Sequence, residues 1–219
     1  MLAAGFYCMD CMVGMKDFPD KYFDLAIVDP PYGINITGRK AGKGCQIGSG
    51  SKVYHAFDDT KIPDASYFKE LFRVSRNQII WGGNYFTEHL PPRSCWICWD
   101  KDHGDGLDFA DGELAWTSFK KPMRIYRRRW GGNELNAGLK EERIHPTQKP
   151  VSLYAWLLGR FAEPGYKILD THVGSASSLI ACHQAGLEYW GFEIDPVFYE
   201  LASARLEGAK AQVSIFGPE

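Results

Sequence analysis

Short, mostly apolar runs that each stop at a polar residue constrain the fold of this chain more than any other feature. There are four of them, at residues 24–28, 78–81, 167–169 and 189–192, and they stop at Asp29, at a Gly-Gly-Asn segment, at Asp170 and at Glu193. Such runs are typical of strands that are buried on both faces of a sheet. The sequence therefore predicts a parallel sheet whose strands end at polar residues.

Helical patterns lie between these strands. They are a helix capped by Asp64 with Phe68, Leu71 and Phe72 on one face, a helix over 151–162, and a last helix begun by Asp195 and Pro196 whose Leu201, Ala204 and Leu206 face inward. Strands that alternate with helices predict an α/β fold with a mostly parallel, twisted sheet and helices on both faces. Two further predicted strands, at 95–99 and 113–118, give this sheet an antiparallel edge.

Composition limits the class of protein. The chain has 219 residues, which favours one large domain, and 45% of them are apolar, which is enough for a core. No apolar run approaches the roughly 18 residues of a membrane helix, and the first ten residues lack the features of a secretory signal. The six cysteines are too scattered for a disulfide scaffold. We therefore expect a reduced, cytoplasmic protein.

A carboxylate, two prolines and a tyrosine come directly after the first predicted strand. Residues 29–32 read Asp-Pro-Pro-Tyr, and ligands of open α/β sheets bind beyond the carboxyl ends of strands. Prolines have no N–H to donate, so the Asp29 carboxylate and the Pro30 carbonyl can both accept from one amino group, while Tyr32 can stack on a flat ring. This arrangement suits the exocyclic amine of a nucleobase. Taken alone, the four residues are equally compatible with a stiff strand exit that carries a surface tyrosine.

A second candidate site follows the strand that ends at Asp170. The chain continues as a turn of small residues and a helix, and Glu193 ends the next strand 23 residues after Asp170. In βαβ units that bind a nucleoside, an acid on the second strand holds ribose hydroxyls. The pyrophosphate pattern G-x-G-x-x-G is absent, so a nucleoside cofactor without phosphates fits better, and S-adenosylmethionine is the obvious one. An ordinary βα turn would explain Gly174 but not the two acids at strand ends.

Taken together, these residues resemble the S-adenosylmethionine-dependent DNA amino-methyltransferases, and most closely the β group of bacterial and phage adenine-N6 enzymes. The matching segments are the catalytic motif at 29–32, His-Pro-Thr-Gln-Lys-Pro at 145–150, the cofactor loop at 170–177 and the ribose motif at 192–195. Their order, with the catalytic motif first, assigns the group. The resemblance covers nearly the whole chain and implies one methyltransferase domain over residues 1–219 with a Rossmann-like fold.

The resemblance also implies a division of labour. A catalytic half over 1–119 and a cofactor-binding half over 145–219 flank a short basic segment, at about 120–144, for DNA contact and target recognition. The implied catalytic residues are Asp29, Pro30 and Tyr32. Those implied to bind S-adenosylmethionine are Asp10, Thr147, Lys149, Asp170, Gly174, Ser175, Ser177 and Glu193. Three residues of the usual Asp-Pro-Phe-x-Gly-Ser-Gly loop are replaced, by Thr171, His172 and Ala176, and binding is expected to survive because Asp170, Gly174 and Ser175 remain.

The implied reaction is the methylation of a flipped adenine in DNA. Asp29 and the Pro30 carbonyl would bind the N6 amine, Tyr32 would stack on the base, and either Asp29 or water would take the leaving proton. Net charge is only −2, so DNA contact has to come from local basic segments. The residues expected there are Arg39, Lys40, Arg124, Arg127, Arg128 and Arg129. The glycine-rich segment 33–52 either closes over the extruded nucleotide or is a plain insertion. A homodimer and a role in restriction-modification are further expectations.

Four other interpretations of the sequence have features for or against them. Two C-x-x-C pairs, Cys8 with Cys11 and Cys95 with Cys98, have the spacing of zinc ligands, but the second pair lies in a predicted strand where residues three apart point to opposite faces. A cytosine-N4 methyltransferase has the same fold and similar acceptors, and Asp rather than Ser at position 29 favours adenine. A nucleic-acid-binding module that has lost catalysis is the alternative from another class. The missing glycine pattern disfavours an NAD-dependent oxidoreductase.

Overall fold

An eight-stranded sheet forms the centre of the protein. The computed structural model describes residues 1–35, 44–45, 54–55, 59–102, 110–129 and 141–213. Its strands are β1 (Gly5–Cys8), β2 (Phe23–Val28), β3 (Gly44–Cys45), β4 (Tyr54–His55), β5 (Ser75–Trp81), β6 (Trp96–Asp100), β7 (Gly112–Thr117), β8 (Arg124–Arg127), β9 (Lys167–Asp170) and β10 (Glu188–Glu193). The order in the large sheet is β1-β10-β9-β2-β5-β7-β6-β8, and β3 pairs with β4 in a separate ribbon. The predicted α/β fold is confirmed.

Helices cover both faces of this sheet. They are α1 (Cys11–Met15), α2 (Ala65–Val74), α3 (Val151–Phe161), α4 (Ser177–Gln184) and α5 (Pro196–Val213), with a 3-10 turn at Gly83–Tyr85. Successive residues of a strand point to opposite faces, so β2 serves two cores. Its Leu25 and Ile27 pack with α3 and α4, whereas Ala26 and Val28 pack with α1 and α2. Within the described part of the chain, no helix combines the length and the apolar character needed to span a membrane.

The position of the antiparallel strand differs from the prediction. Strands β1, β10, β9, β2 and β5 are parallel, and β7 alone runs against both of its neighbours. It lies inside the sheet, and the edge strand β8 is parallel to β6. The sheet thus has the predicted antiparallel part, which lies at β7 rather than at the outermost strand. The chain reverses direction between β6 and β7, which pair as neighbours, and reverses again before β8, so β8 runs parallel to β6.

The last helix begins where the sequence predicts but buries a different stripe. Asp195 caps it by accepting hydrogen bonds from the amides of Val197 (2.8 Å) and Phe198 (3.3 Å). The inward residues are Phe198, Ala202 and Leu206. Leu206 was predicted correctly, whereas the predictions for Leu201, which is 42% exposed, and for Ala204, which is also exposed, are wrong. The helix carries apolar residues on two stripes, and the stripe spaced by four residues from Phe198 is the buried one.

The two halves of the sheet meet between β9 and β2. From β2 the chain passes through α2 to β5 on one side, and from β9 it passes through α4 to β10 on the other. These crossovers run in opposite directions, so a topological switch point lies between the two strands. Ligands of open α/β sheets bind at such a point, beyond the carboxyl ends of the strands. Asp170 ends β9 and Asp29 directly follows β2, which places both acids at the switch point.

Candidate active site

Asp29 has both carboxylate oxygens engaged by neighbouring side chains. The buried strand β2 ends at Val28, and the two prolines that follow Asp29 hold the chain extended at its exit. The Tyr32 hydroxyl donates to Oδ1 at 2.6 Å, and the Lys149 ammonium donates to Oδ2 at 2.6 Å. The Asp29 side chain remains 18% exposed. Its carboxylate is therefore fixed in direction but still open to a ligand from the solvent side.

Lys149 joins Asp29 to a second carboxylate, that of Glu113. Its side chain is 3% exposed, and Nζ lies 2.9 Å from Glu113 Oε2. The other oxygen, Glu113 Oε1, lies 2.8 Å from Lys101 Nζ. Two carboxylates and two ammonium groups thus form one chain of ion pairs, which we call the Asp29 cluster (Asp29, Lys149, Glu113, Lys101). The resemblance assigned Lys149 to the cofactor, and sequence reasoning missed Glu113 and Lys101 because no local motif marks either residue.

The surroundings of the Asp29 cluster separate the pKa values of its two acids. Burial raises the pKa of Asp29, and the positive charge of Lys149 only partly offsets this effect. Burial also pushes the pKa of Glu113 upward, but the charges of Lys149 and Lys101 outweigh it and lower that pKa to about 2. For Lys149, burial is outweighed by the two carboxylates, so its pKa is raised. Glu113 and Lys149 are therefore charged at neutral pH, and of the two acids in the Asp29 cluster Asp29 takes up a proton more readily.

Tyr32 lies between a glycine and a second tyrosine. Its ring stacks on that of Tyr85, with centroids 5.1 Å apart and planes 16° from parallel. Gly82 has a φ of +69°, and a Cβ atom there would lie 2.2 Å from the Tyr32 ring, so only glycine fits. Tyr85 is 44% exposed, which leaves it on the open side of the stack. Sequence reasoning missed Tyr85, although the Gly-Gly-Asn segment at the end of β5 marked its neighbourhood.

Asp170 is committed to the loop that follows β9. Its Oδ1 accepts from the amide of His172 at 3.0 Å, and its Oδ2 accepts from the Ser178 hydroxyl. The residue is 2% exposed, and burial raises the pKa of Asp170 to about 7, with a smaller contribution from the charge of Asp29. The Asp170 side chain thus fixes the conformation of the loop, and it lies close enough to Asp29 for the two charges to interact.

Glu193 ends the next strand, β10, and Asp10 lies two residues beyond the end of β1. Cys8 of β1 is in register with Glu193 of β10, and Gly191 of β10 is in register with Asp170 of β9, so three acids follow one another along the same edge of the sheet. Glu193 Oε2 accepts from the Gly174 amide at 2.8 Å, and Oε1 accepts from the Asp195 amide at 3.0 Å. Asp10 is exposed and caps α1 through the Met12 amide at 2.7 Å.

The replaced positions of the loop form polar contacts of their own. The Thr171 hydroxyl lies 2.7 Å from the Tyr67 hydroxyl and 2.9 Å from Nδ1 of His172. The ring of Tyr67 also packs edge-on against that of His172. Burial lowers the pKa of His172 to about 4, so this imidazole is neutral at physiological pH. The substitutions at 171 and 172 are thus accommodated by one buried partner on α2.

The remaining residues assigned to the cofactor lie around the same loop. Thr147 contacts Nδ1 of His145 through its hydroxyl, at 3.1 Å. Ser175 and Ser177 are held by Arg205 of α5, whose guanidinium donates to the Ser175 carbonyl and, at 2.9 Å, to the Ser177 hydroxyl. Arg205 is in turn paired at 3.0 Å with Glu141. Arg205 and Glu141 were missed, because a loop contact from a helix 28 residues away leaves no local pattern.

The basic residues are only partly within the described chain. Arg124 and Arg129 are exposed, Arg127 is exposed but pairs at 2.8 Å with Asp100, and Arg128 donates to the Ser152 hydroxyl. These side chains lie on and after β8, the edge strand of the sheet. Arg39, Lys40 and most of the segment 33–52 lie outside the described residues. Among the described residues, no group of three His, Cys, Asp or Glu side chains is placed to hold a metal ion.

A match to a family model shows which family the chain belongs to. The model, described as DNA methylase (N6_N4_Mtase), matches residues 76–204. The chain belongs to the N6/N4 DNA methylase family. Because the family covers both adenine-N6 and cytosine-N4 enzymes, membership makes the protein a DNA methyltransferase without fixing its target base.

Three similar proteins cover nearly all of the methylase. YubD of Escherichia coli strain K12, a methylase by name, is 26% identical over 214 residues, which span 90% of this chain and 87% of YubD. TTHA0409 of Thermus thermophilus, a DNA modification methylase solved with S-adenosyl-L-methionine, is 16% identical with a TM-score of 0.55, over 93% of this chain and 95% of that one. The cytosine-N4-specific PvuII DNA methyltransferase is 12% identical with a TM-score of 0.60, over 96% and 91%. These two structures establish the Rossmann-like methyltransferase fold.

Proposed function

We propose that this methylase transfers the methyl group of S-adenosylmethionine to the N6 amine of an adenine flipped out of DNA. The observation that carries the proposal is that Asp29, with Tyr32, lies at the carboxyl end of β2, next to the strand that ends at Asp170. A base held at Asp29 and a cofactor held beyond β9 and β10 would meet at the switch point of the sheet.

The residues beyond β9, β10 and β1 fit a cationic nucleoside. Asp10 and Glu193 bring two carboxylates to one edge, beside the loop whose shape Asp170 fixes, and carboxylates both accept from ribose hydroxyls and offset a positive charge. The left-handed backbone of Gly174, with a φ of +55°, lets the loop turn beside Glu193 without a side chain in the way. When bound, S-adenosylmethionine supplies an electrophilic methyl group on a sulfonium. Thr147, Ser175 and Ser177 line the same loop and would complete the site.

Asp29 and Tyr32 would orient the target base. Each oxygen of a carboxylate has two acceptor positions, so Asp29 can accept from a base amine while it keeps its bonds to Tyr32 and Lys149. The Pro30 carbonyl would accept the second amine hydrogen. Two acceptors favour the pyramidal amine, whose lone pair can attack. Tyr32 would stack on the base after Tyr85 moves aside, because the other side of its ring lies against Gly82.

The arginines on and after β8 would hold the DNA backbone. Phosphate contacts give affinity and register without reading sequence. Arg124, Arg128 and Arg129 follow one another along this edge of the sheet, and Arg39 and Lys40 would add to them from the glycine-rich segment. The target sequence would then be read by few residues.

The experiment that tests this function identifies the methylated nucleoside. The purified chain is incubated with methyl-labelled S-adenosylmethionine and DNA of mixed sequence, and the DNA is digested to nucleosides. Label in N6-methyladenine is the expected result. Label in N4-methylcytosine would assign the chain to the other branch of its family, and an absence of label from all DNA under conditions where the cofactor binds would refute methyl transfer to DNA.

A further inference from the structure

We propose that Glu113 is a positioning residue that keeps Asp29 a strong proton acceptor by sharing Lys149 with it. The inference rests on the proposed function, since it concerns the step in which the base amine loses a proton. It assigns the leaving proton to Asp29 and gives a role to two residues, Glu113 and Lys101, that no sequence motif contains.

The geometry places Lys149 between two acids rather than against one. Its Nζ lies 2.6 Å from Asp29 Oδ2 and 2.9 Å from Glu113 Oε2, and the Tyr32 hydroxyl is 3.2 Å away. A buried ammonium paired with a single carboxylate would hold that carboxylate strongly in its charged form. Here the positive charge is divided, so Asp29 keeps more of its affinity for a proton. Glu113 adds its own negative charge near Asp29 in the same direction.

Lys101 determines which of the two acids stays ionised. Lys101 pairs with Glu113 at 2.8 Å. The ion pair of Asp29 among the described residues is with Lys149 and not with Lys101. Glu113 therefore has two cations and Asp29 has one, and burial acts on both. Pairs of acids whose environments differ in this way commonly divide the roles of proton acceptor and permanent charge. Asp29 takes the first role and Glu113 the second.

The chemical step balances with Asp29 as acceptor. The bond between the amine nitrogen and the methyl carbon forms while the carbon–sulfur bond breaks, and the sulfur leaves as a neutral thioether. The nitrogen then carries a positive charge and one surplus proton, which passes to an Asp29 oxygen. Lys149 stays charged throughout, so Asp29 changes from an ion-paired carboxylate to a neutral acid that still accepts from Lys149 and Tyr32.

Other titratable groups face Asp29 and have to be distinguished from Glu113. They are Tyr32 on the same loop, Lys149, Tyr154 on α3, Tyr67 on α2 and Asp170 on β9. The three tyrosines stay neutral in the range of interest, because burial raises the pKa of each well above its ordinary value. Asp170 does titrate near neutrality, so the test has to follow Asp29 itself.

The test follows the Asp29 carboxyl by carbon-13 NMR in the free protein, with Asp29→Asn to assign its signal. Glu113→Gln keeps the size of the side chain and removes the charge, so the pKa of Asp29 should fall by about one unit. Lys101→Met should raise it, because the Glu113 charge is then less compensated. The matched control is Glu70→Gln, which removes a partly buried, ion-paired acid from α2 and should leave the Asp29 signal unchanged.

Kinetics give the second readout. At saturating DNA and S-adenosylmethionine, Glu113→Gln should lower kcat about tenfold and move the acid limb of its pH profile to lower pH, with each KM within about twofold of the wild-type value.

The proposal would be overturned if the pKa of Asp29 were unchanged in Glu113→Gln and Lys101→Met, or if it shifted in the same direction in both. If Glu113→Gln does not fold, the titration of Asp29 in Lys101→Met tests the proposal, which requires a raised pKa. Failure of the wild-type protein to label DNA refutes the proposed function instead, and the NMR titration distinguishes the two outcomes.

Discussion

The ammonium of Lys149 lies 2.6 Å from the Asp29 carboxylate, although the two residues are 120 positions apart in the chain. The contact joins the catalytic motif to the His-Pro-Thr-Gln-Lys-Pro segment, and it places a fixed positive charge behind the group that would bind the base amine. Asp29 is thereby oriented by Lys149 and Tyr32 before any substrate arrives. Such preorganisation is a principal source of rate in enzymes that work by positioning.

Variants at Tyr32 separate its ring from its hydroxyl. Tyr32→Phe removes the hydrogen bond to Asp29 but keeps the ring, so kcat should fall by roughly tenfold or less, the value of one hydrogen bond. Tyr32→Ala also removes stacking on the base, which is worth roughly 1–3 kcal/mol, and should cost correspondingly more. Rates at saturating cofactor measure both. Equal losses in the two variants would argue against a stacking role.

A Cβ atom at Gly82 should disturb the site through Tyr32. Gly82→Ala should lower the free energy of unfolding by more than the roughly 1–2 kcal/mol of a left-handed alanine, because the new carbon would lie 2.2 Å from the Tyr32 ring. Gly165→Ala is the matched control, with a φ of +82° and no atom within 4 Å of the added carbon. Urea unfolding measures both, and equal costs would show that Tyr32 gives way freely.

The buried imidazole of His145 should make stability fall in acid. Burial, helped by the charge of Lys149, lowers the pKa of His145 from 6.5 to about 3. The unfolded chain therefore binds a proton that the folded protein does not, so this contribution is complete above pH 6.5 and is lost as the pH falls toward 3. His145→Gln should flatten the pH dependence of the free energy of unfolding, and His183→Gln, on the partly exposed side of α4, should not. Identical slopes for His145→Gln and wild type would contradict this.

Removal of one exposed arginine on the edge strand should weaken DNA binding in a salt-dependent way. Arg124→Ala should lower the slope of log affinity against log salt by about one and act equally on all sequences. Arg76→Ala removes an exposed arginine, paired with Asp24, from the start of β5 and serves as the control. Equal slopes for wild type and Arg124→Ala in binding titrations would remove this side chain from the interface.

The fold could be predicted from the sequence because the patterns that mark its strands and helices are local. The apolar runs of β2, β9 and β10 are visible in the sequence and stop at an acidic residue. For this reason Asp29, Asp170 and Glu193 could be placed at strand ends. The buried stripe of α5 was not accessible, since Val197 and Leu201 form a second apolar stripe beside that of Phe198 and Ala202, and periodicity alone does not choose between them.

The partners inside the candidate site depend on contacts between distant elements. Glu113 reaches Lys149 only because β7 pairs with β5 and β6 in one particular register. Tyr85 meets Tyr32 only because a left-handed glycine turns the chain after β5. Neither contact has a pattern in the sequence, so motif reasoning identified Asp29, Tyr32 and, in another role, Lys149, but it missed Glu113 and Tyr85.

The most direct measurement compares methyl transfer by the wild-type chain and by Asp29→Ala. Both proteins are given labelled S-adenosylmethionine and DNA, the labelled nucleoside is identified, and cofactor affinity is measured separately by calorimetry. The wild type should label N6-methyladenine, and the variant should lose at least about 100-fold in kcat while it binds the cofactor with unchanged affinity. Appreciable turnover by Asp29→Ala, at a rate near that of the wild type, would contradict the account.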